Sequence, residues 1–275
     1  MDKNLLGTFY VMASATGFGL MAIFALFAYE AGANVVTVLF FRFTIASIFM
    51  WGYWAAKKSF PKVDRKELYY LIGLGIIGYG SMSGLFFSAL NYIPASLTSM
   101  LLYTYPAIVT IVAILLKDES FSLTKGVALL LSLIGLIFIL GTSIGTLNPF
   151  GVLLGLGSAC FYSCYIIVSN RVLKKVSSWE ASTYVITSAA IIYLFFGLVT
   201  NQLTMNVSLQ SWIAITAIAV FSTIVAISCF FVGITYIGPA KASIVNTIEP
   251  IITVVAAAIL FNEVFTLHQV FGGIL

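Results

Sequence analysis

Apolar residues run along this chain in long stretches, without the period-two alternation of a half-buried strand or the one-sided stripe of a surface helix. A helix needs about 20 mostly apolar residues to cross the hydrocarbon core of a bilayer. Stretches of that kind cover residues 7–28, 35–56, 68–91, 95–116, 123–141, 150–171, 180–199, 211–236 and 240–261. A tenth begins near Leu267 and meets the chain end at Leu275. Short turns such as Asn91–Pro94 and Ile237–Gly238–Pro239 separate most of them. The pattern predicts an all-α integral membrane protein of ten transmembrane helices, the tenth cut short, with no soluble domain.

Composition sharpens this. Of 275 residues, 61% are hydrophobic and 8% charged, against roughly 25% charged in soluble domains. Lipid is therefore the expected solvent. The net charge of +4 is no nucleic-acid footprint, because its meaning lies in where the basic residues fall. Lys3, the loop holding Lys57, Lys58, Lys62, Arg65 and Lys66, the positions Lys117 and Lys125, the group Arg171, Lys174 and Lys175, and Lys241 all fall on one side of a ten-span topology. They account for 12 of the 13 basic residues; the other is Arg42, inside a span. Cytoplasmic loops are enriched in Lys and Arg, which predicts a multi-pass inner-membrane protein with both termini cytoplasmic. Only Lys3 precedes the first span, so it does not read as a signal peptide. Cys160, Cys164 and Cys229 fall inside predicted helices, where free cysteine is expected to pack as a small apolar group.

The chain matches itself at a constant offset of 144 residues. Pro106 falls on Pro250, Phe86–Phe87 on Phe230–Phe231, Tyr92–Ile93 on Tyr236–Ile237, Glu119 on Glu263 and Gly7 on Gly151. This predicts two domains, 1–145 and 146–275, each with five spans, the second incomplete at its C-terminus. Five is odd, so the second copy enters the membrane from the opposite side. The result is a 5+5 inverted-topology repeat, an arrangement frequent in secondary transporters, whose halves rock about a midplane site.

The segment from Phe86 to Gly135, FFSALNYIPASLTSMLLYTYPAIVTIVAILLKDESFSLTKGVALLLSLIG, closely resembles the third to fifth helices of EamA-type members of the drug/metabolite transporter superfamily. The segment from Phe230, FFVGITYIGPAKASIVNTIEPIITVVAAAILFNEVFTLHQVFGGIL, resembles the matching part of their second half, and Phe41–Arg42–Phe43 their Arg-containing second helix. The resemblance covers nearly the whole chain. It implies a central cavity lined mainly by the first, third, fourth, sixth, eighth and ninth spans, and movement of amino acids or related metabolites by alternating access. The incomplete tenth helix departs from the family pattern.

Several residues carry candidate chemistry. Glu249 lies mid-span, where an acid costs about 2.5–3.5 kcal/mol on insertion scales, so it should face a polar cavity or a partner. It is a candidate substrate contact and proton site, or else a structural acid bonded to backbone that Pro250 leaves open. Arg42 is a possible anion site, or else it snorkels outward or pairs with an acid such as Glu30. Both break the repeat: their mates are Tyr105 and Ile186. Pro106 and Pro250 each remove a mid-helix hydrogen bond and are candidate hinges, or simple static kinks. Tyr79, Met82, Tyr103, Ser158, Tyr162, Tyr165, Ser222 and Asn246 are candidate substrate-lining residues, with Ser158, Tyr162 and Tyr165 sharing one helical face; the tyrosines could equally be interfacial anchors or helix contacts. The run Gly73–Leu74–Gly75–Ile76–Ile77–Gly78 formally spells a dinucleotide fingerprint, but it lies inside a span with no strand before it, so close helix packing is the better reading. A catalytic constellation, metal cluster or phosphate loop is absent from the sequence, so no cofactor is expected. The expected partners are the lipid bilayer, a small-molecule substrate and protons, with no nucleic acid. Lipid or lipid-carrier translocation is the alternative transport reading. An intramembrane enzyme is the disfavoured reading of another class.

Overall fold

The computed structural model describes residues 2–115, 148–263 and 267–274, with isolated positions between 123 and 138. All regular structure among the described residues is helical. Among the described residues, eight helices are long and apolar enough to cross a membrane: α1 (Lys3–Glu30), α2 (Val35–Ala56), α3 (Arg65–Ala89), α4 (Ala95–Val112), α5 (Pro149–Val172), α6 (Ser178–Thr200), α7 (Leu209–Gly238) and α8 (Lys241–Phe261). A shorter helix, α9 (Leu267–Ile274), follows. More than half of the fifth predicted span lies outside the described residues, as do Lys117 and Glu119.

Local chemistry fixes the helix ends. The Asp2, Asn34, Asn148 and Ser208 side chains accept hydrogen bonds from backbone N–H groups of the first turns of α1, α2, α5 and α7, and Ser177 with Glu180 forms a reciprocal capping box at α6. Such caps occupy donors that helix geometry leaves open. Asn201 and Asn262 take left-handed backbone angles, with φ of 53° and 51°, and close α6 and α8, a conformation asparagine tolerates.

The two ends of the bundle differ in charge. At one end Lys175 Nζ reaches Glu67 at 2.8 Å, the Tyr184 hydroxyl donates to the Pro61 carbonyl, and Lys57 sits over the Tyr53 ring. The loop that holds Lys57–Lys66 and the segment Arg171–Lys175 therefore meet at one end. The hydrogen bond and charge of Glu67 raise the Lys175 pKa above the ordinary lysine range. At the other end the loops flanking α2 and α6 meet, with Asn34 Nδ2 donating to the Gln202 carbonyl at 2.7 Å and Ser208 Oγ to the Ala31 carbonyl at 3.1 Å. Those loops contain no Lys or Arg.

Contacts between the halves come in matched pairs. A Cβ placed on Gly7 would lie 2.7 Å from both Tyr236 Cβ and Ile237 Cγ2, and one placed on Gly151 would lie 2.7 Å from Tyr92 Cβ and 2.9 Å from Ile93 Cγ2. Each contact is the other moved by 144 residues with the halves exchanged. Likewise a Cβ on Gly19 would meet the Glu249 carbonyl at 2.9 Å, while the corresponding Ser163 donates through Oγ to the Tyr105 carbonyl at 3.2 Å. The helices follow the same logic: α1 packs on α7, α5 packs on the last turns of α3, and α2 packs on α6. A π-type turn interrupts α3 at Leu74–Gly80 and α7 at Val220–Val225. In α7, the Thr223 hydroxyl donates to the Ile218 carbonyl within that distortion.

The cysteines differ from expectation. Cys160 and Cys164 lie on the exposed face of α5, and Cys229 is half-buried. The face of α5 that packs inward carries Ser158, Ala159, Tyr162, Ser163 and Tyr165 instead.

Gly151→Val should destabilise the protein by about 1–3 kcal/mol, because the new methyls meet a closely packed neighbouring chain. Gly73→Ala, in open space within 4 Å, should be neutral or stabilising by up to about 1 kcal/mol. Thermal midpoints in detergent check both. Equal effects at the two positions would contradict the close approach at Gly151.

Candidate functional site

Two helices break at equivalent points. α4 is interrupted at Tyr103–Thr104, before Tyr105–Pro106. In the second half the helix is interrupted at Asn246–Thr247, before Glu249–Pro250. Proline lacks the N–H that would meet the carbonyl four residues earlier. For Pro250 that carbonyl belongs to Asn246, and it is met from both halves: the Tyr103 hydroxyl of the first lies 2.5 Å away, and the Glu249 N–H of the second donates at 2.9 Å.

A compact polar node results. The Tyr103 hydroxyl also lies 2.7 Å from Glu249 Oε2. Asn246 Nδ2 donates to the Tyr103 hydroxyl oxygen at 2.8 Å and to Glu249 Oε2 at 3.0 Å. Glu249 is 3% exposed and Asn246 0%, and among the described residues no lysine or arginine hydrogen-bonds to Glu249. This arrangement accommodates two protonation states. An ionised Glu249 accepts the Tyr103 proton. A protonated Glu249 can donate to the Tyr103 oxygen, freeing that phenol to donate to the Asn246 carbonyl. Thr253 ties the same helix to α1, its hydroxyl donating to the Gly19 carbonyl at 2.8 Å and accepting from Ser99 Oγ at 3.3 Å.

From this node a file of aromatic rings crosses the core. Tyr103 and Tyr105 are 5.3 Å apart between centroids, Tyr105 and Tyr162 4.8 Å, Tyr162 and Tyr165 5.9 Å, and Tyr165 and Tyr79 5.4 Å. The file ends at Arg42, whose Nη2 donates to the Tyr79 hydroxyl at 3.1 Å. A buried acid and a buried base thus stand at opposite ends of one row of tyrosines.

Arg42 corrects an expectation. It neither snorkels nor pairs with Glu30. It is 0% exposed, with its guanidinium carbon 4.4 Å from the Phe43 ring centroid and 5.0 Å from that of Phe87. Nη1 donates to the Met21 sulfur at 3.1 Å. The reason is geometric: the side chain leaves α2 toward α3, where rings favour a cation on their faces.

The other sequence candidates sit in several settings. Met82, Tyr162 and Tyr165 are each 2% exposed and lie in the main apolar core. Ser158 spends its hydroxyl on the Gly155 carbonyl of its own helix, and Ser222 spends its own on the Gly17 carbonyl of α1. A recess of about 210 Å³ at the basic end is lined by Asn4, Thr8, Ile237, Lys241, Ile244 and Val245; none of the sequence candidates borders it. Two residues were missed. Tyr105 bridges Tyr103 and Tyr162, and its position as the repeat mate of Glu249 was the available signal. Glu263 accepts hydrogen bonds from the Ala95 and Ser96 N–H groups and from Ser96 Oγ at the start of α4; its alignment with Glu119 was the signal there.

Comparison with known proteins agrees with this architecture. The model of the EamA-like transporter family matches twice, at residues 5–141 and 149–275. Among curated relatives, the uncharacterized transporter YcbK of Bacillus subtilis (strain 168) is 24% identical over 97% of this chain and 88% of its own length. An uncharacterized transporter of Archaeoglobus fulgidus is 26% identical over 92% of this chain and 88% of its own. A solved crystal structure shares the fold, with a TM-score of 0.74 over 97% of this chain and 92% of that one at 15% identity. With the family model matched in both halves, the chain belongs to the EamA-like transporter family.

Proposed function

We propose that this protein is a secondary transporter or facilitator that carries small organic metabolites, amino acids or related compounds, by alternating access between two inverted five-helix halves. The observation that carries the reading is the reciprocity of the glycine contacts. Gly7 meets Tyr236 and Ile237 near the basic end, while Gly151 meets Tyr92 and Ile93 near the end without Lys or Arg. One sequence placed in two orientations can hold two conformations, and exchanging them between the halves opens the core alternately to either side. The halves meet at the Tyr103–Asn246–Glu249 node and the tyrosine file, a polar and aromatic setting suited to a small amphiphilic solute. The ten-helix count and the inverted repeat belong to this proposal, as do the inner-membrane location and the cytoplasmic termini. The distribution of basic residues supports the orientation.

Transport drawing on a proton gradient is the coupling this reading favours, with Glu249 as the proton site. Reconstitution into liposomes and flux measurement against a panel of amino acids and related metabolites tests the function. Glu249→Gln keeps the side-chain volume and hydrogen bonding but cannot ionise, so it should transport with its pH dependence lost. Wild-type rates at every pH would assign the carboxyl a structural role.

Orientation has its own test. In a variant lacking Cys160, Cys164 and Cys229, a cysteine introduced at Ser59 should stay unlabelled by an impermeant thiol reagent in intact cells and react once the membrane is opened. Ready labelling from outside would reverse the topology.

A further inference from the structure

Arg42 carries a problem that the folded chain does not solve by itself. A guanidinium presents five N–H donors and a permanent charge. Here it is 0% exposed. Nε has no hydrogen-bond partner, Nη1 has a thioether, and Nη2 has one phenol. The titratable groups that interact with its charge are Tyr29, Tyr79 and Tyr193, phenols that carry no charge near pH 7. Aromatic faces attract the cation, but they accept no conventional hydrogen bond in the guanidinium plane. A buried charge is ordinarily paired with an opposite charge and fully hydrogen-bonded. Among the described residues no carboxylate does this for Arg42.

We propose that Arg42 is the docking group for a carboxylate on the transported solute, so that the substrates are organic acids or zwitterions whose negative end enters the core against α2 and α3. The inference rests on the transport reading above and names the substrate chemistry within it. Three features favour a carboxylate. The planar fork of a guanidinium matches its two oxygens. The group that occupies Nη1 is a methionine, whose flexible side chain and weakly accepting sulfur yield readily to a stronger acceptor. Tyr79 adds a hydroxyl at 3.1 Å from Nη2 that can remain as a second donor to the incoming oxygen.

The experiment uses matched compounds: carboxylic acids, the amide and methyl ester of each, and the phosphonate of the same skeleton. Thermal stabilisation of the purified protein reads binding at constant ionic strength, and liposome flux reads transport. The acid should bind and move at least about tenfold better than its amide or ester. That preference should vanish in Arg42→Gln and in Arg42→Met and survive in part in Arg42→Lys; with two uncharged replacements, one misfolded variant does not decide the matter. Carboxylate stabilisation that depends on Arg42, without flux, would uphold the anion site while removing the transport reading. Equal binding of acid and amide, a preference retained in Arg42→Gln, or a stronger effect of the phosphonate would overturn the carboxylate assignment.

Discussion

Hydrocarbon offers no hydrogen bonds, so the backbone inside this bundle must be satisfied within the protein. That constraint organises the rest of the structure. Helices satisfy their own backbones. An exception occurs where the second-half helix breaks. Pro250 brings no N–H to the Asn246 carbonyl, and that carbonyl is met by the Glu249 N–H of its own half together with the Tyr103 hydroxyl of the first half. The repair is thus shared between the halves, and polar chemistry gathers at the seam between them. Glu249, Asn246 and Tyr103 lie there, as does the row of tyrosines that runs from them to Arg42.

The seam also depends on close packing elsewhere. Apolar side chains gain little by leaving lipid for another apolar surface, so helix association rests on contact area and small residues. Gly7, Gly19 and Gly151 bring backbones together at matched places. These contacts hold the halves in register, while the discontinuities before Pro106 and Pro250 leave short non-helical segments at the centre. Rigid arms with irregular backbone between them form a construction in which small rearrangements at the centre can be coupled to movement at the ends.

Much of this was legible in the sequence. The apolar stretches located the eight helices that, among the described residues, are long and apolar enough to cross a membrane, because length and hydropathy are direct requirements of the membrane. The asymmetry of Lys and Arg put the 57–66 loop and the 171–175 segment on one side, and Glu67 pairs with Lys175 there. The constant offset picked out Gly7 and Gly151 without revealing that each would touch the other's neighbours, because contact across halves leaves no mark in a one-dimensional pattern. The readings of Arg42 as snorkelling outward or pairing with Glu30 failed for the same reason. Spacing along α2 places the residue in depth, but only the packed bundle reveals Phe43, Phe87 and Met21 around it in place of Glu30. Tyr105 was overlooked because its mate is an acid, although the two share a position and a following proline.

The central claim is that the two halves exchange conformations about the seam. The most direct measurement is flux through protein whose ends are bridged in turn, in a variant without native cysteines. Cysteines replacing Tyr92 and Phe150, whose rings lie 5.2 Å apart, can be bridged at the end without Lys or Arg by a short reducible cross-linker. Cysteines replacing Tyr10 and Tyr236, at 6.4 Å, serve the basic end. Bridging either pair should stop transport, and reduction should restore it. Transport at the unbridged rate with both pairs closed would contradict the account.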